Sequence, residues 1–194
     1  MKRTTLKIDD DLFVQLKKRA ASQGKSMASL VNDLLRQAID TNILVFAEIR
    51  TSENHTAARK TLTDLAEGAV PWAIPWPCVY EFLRVVTHPR VYHPPVPMKT
   101  ALQDLRRILG SPTLILLRET ANHPEVMISV IQEAGVSGNL VHDAHIAALS
   151  IEHGISEFIK VDRDFSRFPS LSVKNPFLQK YMLAPRYGPC WVVS

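Results

Sequence analysis

The chain has 194 residues, 46% hydrophobic and 22% charged, a balance that supplies one medium-sized core with room for a small accessory segment. No apolar run approaches the ~18–20 residues that cross a bilayer, and the charged opening MKRTTLKIDDDLF excludes the apolar stretch of a signal peptide. Cys78 and Cys190 lie far apart and form neither a disulfide framework nor a CxxC metal motif, so the expected compartment is the cytoplasm, with no membrane partner.

The net charge of +4 is unevenly placed, because residues 1–39 hold eight Lys/Arg against four Asp and the rest of the chain is neutral. A short basic module on a neutral body points to a polyanionic partner, although a solvated helix face gives the same composition. Arg3-Thr4-Thr5-Leu6-Lys7-Ile8 alternates like a half-buried strand, with Arg3, Thr5 and Lys7 on its polar face. Asp9, Asp10 and Asp11 favour a helix start. The helix then carries Leu12, Phe13, Leu16 and Ala20 at helical spacing until Gly24 stops it. Ser26 caps a second helix with the stripe Leu30, Val31, Leu34, Leu35 and Ala38.

One strand and two short helices close no core alone, so this module is expected to pair with a second copy. Two strands then form an antiparallel ribbon that fits the DNA major groove and presents Arg3, Thr5 and Lys7 to it. The helix start at Ser26 offers backbone N–H groups to a phosphate. The alternative is a helical hairpin that decorates the following domain. The run RTTLKIDDDLFVQLKKRAASQGKSMASLVNDLLRQAI resembles the DNA-binding domain of ribbon-helix-helix antitoxins of the VapB type, over residues 2–39. The resemblance implies operator DNA as a partner.

From residue 40 to 177 helical patterns alternate with short apolar runs, which predicts an α/β domain with a mostly parallel sheet flanked by helices. A first strand begins near Ile39 and continues through 43–47. Helices are predicted over 55–67, 80–86, 98–109, 125–134 and 140–152. Strands or short apolar runs are predicted over 70–75, 113–117, 158–161 and 171–173. Residues 178–194, with Pro185, Gly188 and Pro189, read as an irregular tail.

The chemistry lies in acids placed where strands end and buried helices begin. Asp40 opens Asp40-Thr41-Asn42, Glu81 sits among Val79, Tyr80, Phe82 and Leu83, and Asp143 sits in the small-residue helix 140–149. Asp162 follows the strand at 158–161, with Asp164 just beyond. Ionised carboxylates converging in apolar surroundings repel one another and call for a cation, and all-oxygen ligands suit Mg²⁺ or Mn²⁺. Such a site supports hydrolysis of a phosphodiester. Asp40 and Asp162 also fit as caps of helices or turns, and Asp164 fits as the cap of the turn into 165–169. His142 and His145, on either side of Asp143, read as surface or core histidines rather than metal ligands.

The segments DTNILVFA at 40–47, PWAIPWPCVYEFLRVVTHPRVY at 71–92, GNLVHDAHIAALSIEHG at 138–154 and VDRDFSRFPSLSVKNPF at 161–177 resemble, in order, the PIN domain of VapC-like toxins. By position, the resemblance implies that Asp40, Glu81, Asp143 and Asp162 are the metal-site acids, with Asp164 auxiliary and Asn42 orienting the first acid. It further implies Mg²⁺- or Mn²⁺-dependent endonucleolytic cleavage of RNA and a homodimer.

Such antitoxins and toxins are usually separate proteins, and here they share one chain without a linker. The antitoxin part that covers the toxin's active site is missing, which leaves a separate antitoxin in trans as a further partner. Ala38 and Ile39 also serve two patterns at once, the stripe of the second helix and the strand leading to Asp40. A fusion with a shortened first strand is the expectation, with nuclease activity impaired. Two functions stay open at this point: a metal-dependent endoribonuclease, and a DNA-binding autoregulator whose PIN portion is inert.

Overall fold

The structure is a computed structural model that describes residues 37–161 and 164–177, without the side chain of Asp164, and in addition Val14, Lys17, Lys18, 20–22, Gly24 and Ser26. In the first segment Val14, Lys17, Lys18 and 20–22 are helical, with Ala20 buried and Val14, Lys17 and Lys18 exposed. Gly24 takes φ +62°, the left-handed turn expected to stop this helix, and its N–H donates to the Ala21 carbonyl at 3.2 Å. Arg3, Thr5, Lys7, the ribbon strand, most of the second helix, Asp162 and the tail lie outside the described residues, and Ser26 is described as an exposed residue.

The elements follow as β1 (Gln37–Ile39), α1 (Thr41–Glu48), α2 (His55–Glu67), β2 (Trp72–Pro75), α3 (Trp76–Val86) and α4 (Met98–Leu109). They continue as β3 (Leu114–Leu117), α5 (His123–Ala134), α6 (Leu140–Glu152), β4 (Glu157–Ile159), a 3-10 turn (Asp164–Arg167) and β5 (Ser172–Lys174). The five strands form one sheet in the order β3-β2-β1-β4-β5, and every pairing is parallel. The α/β class and parallel sheet therefore stand as expected.

Two details differ. The run 43–47 is not strand but the body of α1. It is apolar all round and buries Thr41, Ile43, Leu44, Val45 and Ala47 while packing on α2 and α3. A continuous apolar run has no period that separates a buried strand from a buried helix, and here tertiary burial overrides the β-branched Ile43 and Val45. Ala38, assigned by helical spacing to the preceding stripe, is strand and fully buried. It pairs with Ala73 on one side and Phe158 on the other, and the ladder extends to Asp40, whose N–H donates to the Ile159 carbonyl at 3.0 Å.

The first strand is short yet central, paired with β2 at Gln37 and Ala38 and with β4 along all three residues. Crossovers between parallel strands are right-handed as a rule, so this strand order assigns α1–α4 to one face and α5–α6 to the other; α1 packs on α2 and α3, and α5 on α6. The core between these layers includes Ile39, Trp72, Ile74, Phe82 and Phe158, with Phe165 stacked on Phe158 at 4.7 Å. Since all strands run one way, their carboxyl ends share one edge: Asp40 after β1, Trp76 after β2, Arg118 after β3 and Lys160 after β4. The order reverses at β1, with β2 on one side and β4 on the other, which is where open parallel sheets leave a crevice for ligands.

Ile39 is fully buried in this short central strand. Ile39→Ala is expected to lower stability by about 2–5 kcal/mol in urea denaturation; a loss below about 1 kcal/mol would mean that β1 is not a packed central strand.

Candidate active site at the carboxyl edge of the sheet

Asp40 leaves β1 in extended conformation (φ −84°, ψ 160°) at the N-cap of α1, yet closes no capping hydrogen bond, its carboxylate lying beside the Thr41 and Asn42 amides. It is 3% exposed. Burial pushes its pKa up to about 6, with Glu81 adding to the rise, and the Lys160 ammonium and the two amides only partly offset this. Lys160, at the end of β4, is itself 5% exposed. Its Nζ donates to Asp143 Oδ1 at 3.0 Å, lies 3.8 Å from Asp40 Oδ2 and stands 4.2 Å over the Phe165 ring.

Glu81 and Asp143 are not enclosed as their apolar neighbours imply; their side chains are 29% and 25% exposed. Glu81 accepts from Thr41 Oγ1 at 3.1 Å on one oxygen and from Arg84 at 3.3 Å on the other, and His142 Nε2 lies 3.9 Å away. The helix period leaves α3 a solvated face of Tyr80, Glu81 and Arg84 that a run of apolar letters conceals. The structure thus gathers Asp40, Glu81 and Asp143 at the switch point. Asp162 is outside the described residues, as is the side chain of Asp164. Among the described residues no hydrogen bond joins the Asn42 side chain to Asp40; Thr41 links the first and second acids, with its backbone amide beside Asp40 and its hydroxyl donating to Glu81. Beneath them Cys78 is fully buried, and its thiol pKa is raised by burial, so it stays a neutral thiol.

Glu81 also rims a cleft of about 930 Å³ between α3 and α6. Trp76 and Tyr80 stack there at 5.5 Å, and the Arg118 guanidinium lies 5.7 Å over the Trp76 ring. Tyr80 is 66% exposed, an open aromatic face beside Arg84. On the far wall are His145 and Glu119, 3.2 Å apart, and the pKa of His145 is lowered by burial.

A family model of the PIN domain matches residues 38–171. This chain belongs to the PIN domain family. Ribonuclease VapC37 of Mycobacterium tuberculosis (strain H37Rv) is 30% identical over 138 residues, which cover 71% of this chain and 95% of that relative. Ribonuclease VapC48 of the same species is 30% identical over 143 residues, 74% of this chain and 99% of that relative. Within the family the chain therefore groups with the VapC ribonucleases. Its fold is shared with VapBC2 from Rickettsia felis bound to a promoter DNA fragment (TM-score 0.54, 19% identity, 73% of this chain and 98% of that one). It is shared also with DNA-bound VapBC from Salmonella typhimurium (TM-score 0.52, 14% identity, 73% and 98%).

Sequence reasoning about the PIN domain passed over Lys160, Thr41, Glu119 and His123. A lysine inside the apolar strand run Phe158-Ile159-Lys160-Val161, two residues before an acid, is the one signal that could have found the first of these.

The electrostatics make a signed prediction. Asp40 carries a folded pKa above its unfolded value, so its contribution is fully present below the unfolded value near 3.8 and is lost as pH rises through about 6. At pH 7 without divalent cations, Asp40→Asn is expected to stabilise the fold by about 1–3 kcal/mol, a gain that fades toward pH 4. Lys160→Met leaves the carboxylates without their ammonium and is expected to cost about 3–5 kcal/mol. Denaturation midpoints across pH test both, and equal signs for the two variants would overturn this account.

Proposed function

We propose that the chain is a metal-dependent endoribonuclease of the VapC toxin type, in which Asp40, Glu81 and Asp143, completed by Asp162 and assisted by Asp164, hold Mg²⁺ or Mn²⁺ and serve as the catalytic acids. The observation that carries this reading is the convergence of acids at the switch point, where Asp40 and Asp143 lie 3.8 and 3.0 Å from the Lys160 ammonium and Glu81 is held beside them by Thr41. Carboxylates gathered in this way, with oxygen donors alone, fit a hard divalent cation. When bound, that cation supplies Lewis-acid activation of the phosphodiester and of water.

The chain's own residues do the rest. Lys160 holds Asp143 and faces Asp40, so the two acids stay near one another at neutral pH. Thr41 and Arg84 hold one oxygen each of Glu81 and aim it along the cleft. Asn42 contributes through its backbone amide beside Asp40. The Trp76–Tyr80 stack offers a face for unpaired bases, and Arg84 and Arg118 lie where a phosphate backbone would run, so single-stranded RNA suits this cleft better than a duplex. The pairing of β1 with β4 along its whole length, and with β2 at Gln37 and Ala38, supports an active enzyme over one disabled by its shortened strand.

Purified protein with Mg²⁺ or Mn²⁺ is expected to cut cellular RNA into discrete fragments. Asp143→Asn should lower kcat at least ~100-fold, since removing a metal acid forfeits several kcal/mol of transition-state stabilisation. Tyr80→Ala should raise KM ~5–100-fold with kcat little changed, as loss of one stacking contact implies. Folded protein that leaves RNA intact would sink the nuclease and make the DNA-binding regulator the better account.

The basic excess of residues 1–39 and the helix stopped at Gly24 support the same segment as a DNA contact that pairs with a second copy, through Arg3, Thr5, Lys7 and Ser26. Promoter DNA shift assays should show binding that weakens steeply with salt and falls when Arg3 and Lys7 become Ala. Binding unchanged by those substitutions would refute this placement. A separate antitoxin in trans is the proposed restraint on the nuclease, and inhibition of cleavage by such a protein is its test.

A further inference from the structure

Apart from the acids at the switch point, the described residues hold a second group of donors of different chemical character. Glu119 follows β3, His123 opens α5 and His145 lies on α6, and one ligand atom from each falls within 4.8 Å of the other two. Among the described residues this is the one set of three such donors drawn so close; Asp40, Glu81 and Asp143 are not. His145 Nε2 is buried and faces Glu119 Oε1 at 3.2 Å. The two imidazoles meet edge to face with centroids 5.0 Å apart.

Behind this group the support is already built. His123 Nδ1 lies 3.1 Å from Glu152 Oε1, and the other oxygen of Glu152 accepts from Thr120 Oγ1 at 2.9 Å. The Glu152 side chain is 2% exposed. A carboxylate that engages one ring nitrogen of a histidine fixes its tautomer and leaves the other nitrogen's lone pair for an ion. A buried imidazole nitrogen beside a carboxylate oxygen offers two lone pairs to an ion that sits between them.

We propose that Glu119, His123 and His145 bind one borderline divalent cation of the zinc class, with Glu152 orienting His123. Two imidazoles and a carboxylate suit such an ion, whereas the oxygen-only acids suit Mg²⁺ or Mn²⁺. Three protein ligands leave a fourth position for water or a substrate group, and Glu119 and His145 both line the cleft that Glu81 rims. The ion would tie the segment after β3 to α6, bracing one wall of that cleft.

The test is a Co²⁺ titration of the full chain, stripped of metal and kept in millimolar Mg²⁺ so that the oxygen site is saturated. One equivalent should give the visible absorption of a low-coordinate nitrogen–oxygen site, and Zn²⁺ should displace it. Glu119→Gln, at a side chain 62% exposed and so safe for folding, should abolish the band, as should His123→Gln. Glu152→Gln should weaken binding ~10–100-fold, and Asp40→Asn should leave the band intact. A wild-type protein without the band would overturn the proposal and leave the group as an ion-pair network only. So would a band that survives Glu119→Gln and His123→Gln, or one lost in Asp40→Asn.

Discussion

An ionised carboxylate at the end of the central strand has to be balanced, and much of the site's geometry follows from how Asp40 meets that demand. Taking a charge out of water costs several kcal/mol unless an opposite charge or good hydrogen bonds repay it. Asp40 is held at the junction of β1 and α1, where both the extended backbone and the helix start are buried, so it cannot turn to solvent. Lys160 comes from the neighbouring strand β4 because the parallel register sets Ile39 against Ile159 and puts the next residues of both strands at the same height. The ammonium then gathers Asp143 from α6. The pairing of two short strands therefore decides which acids can act together.

The same register explains why three residues suffice for β1. A central strand uses both edges, so Gln37 and Ala38 are supported from two sides, while Ile39 pairs with Ile159 and the Asp40 amide still finds the Ile159 carbonyl. The cost of the short strand is borne instead by α1, which follows immediately and buries an apolar surface on nearly all sides against α2 and α3.

Around the edge the fold separates donors by chemistry. Oxygen donors collect at the switch point between β1 and β4, with Lys160 among them, while nitrogen donors collect where the segment after β3 meets α5 and α6. Between them lies the cleft with its stacked Trp76 and Tyr80. On the two assignments proposed above, hard and borderline cations would sort between these donor sets by ligand type rather than by raw affinity.

How much of this was legible beforehand depends on the range of the interactions. Helices α2, α4 and α6 were readable to their last residue because an amphipathic or small-residue period and its end signals are local. The parallel sheet followed from the alternation of helices and short apolar runs, and the acids Asp40, Glu81 and Asp143 followed from ionisable residues in apolar company. The helical state of 43–47 was not readable, since only packing on other elements distinguishes a buried helix from a buried strand. Nor was the exposure of Glu81, which depends on which face of α3 meets the cleft. Lys160 between two acids, Thr41 bridging to Glu81, and the convergence of Glu119, His123 and His145 belong to the tertiary structure alone. Each joins residues distant in the chain, and strand order and register, which bring them together, leave no local mark in the sequence.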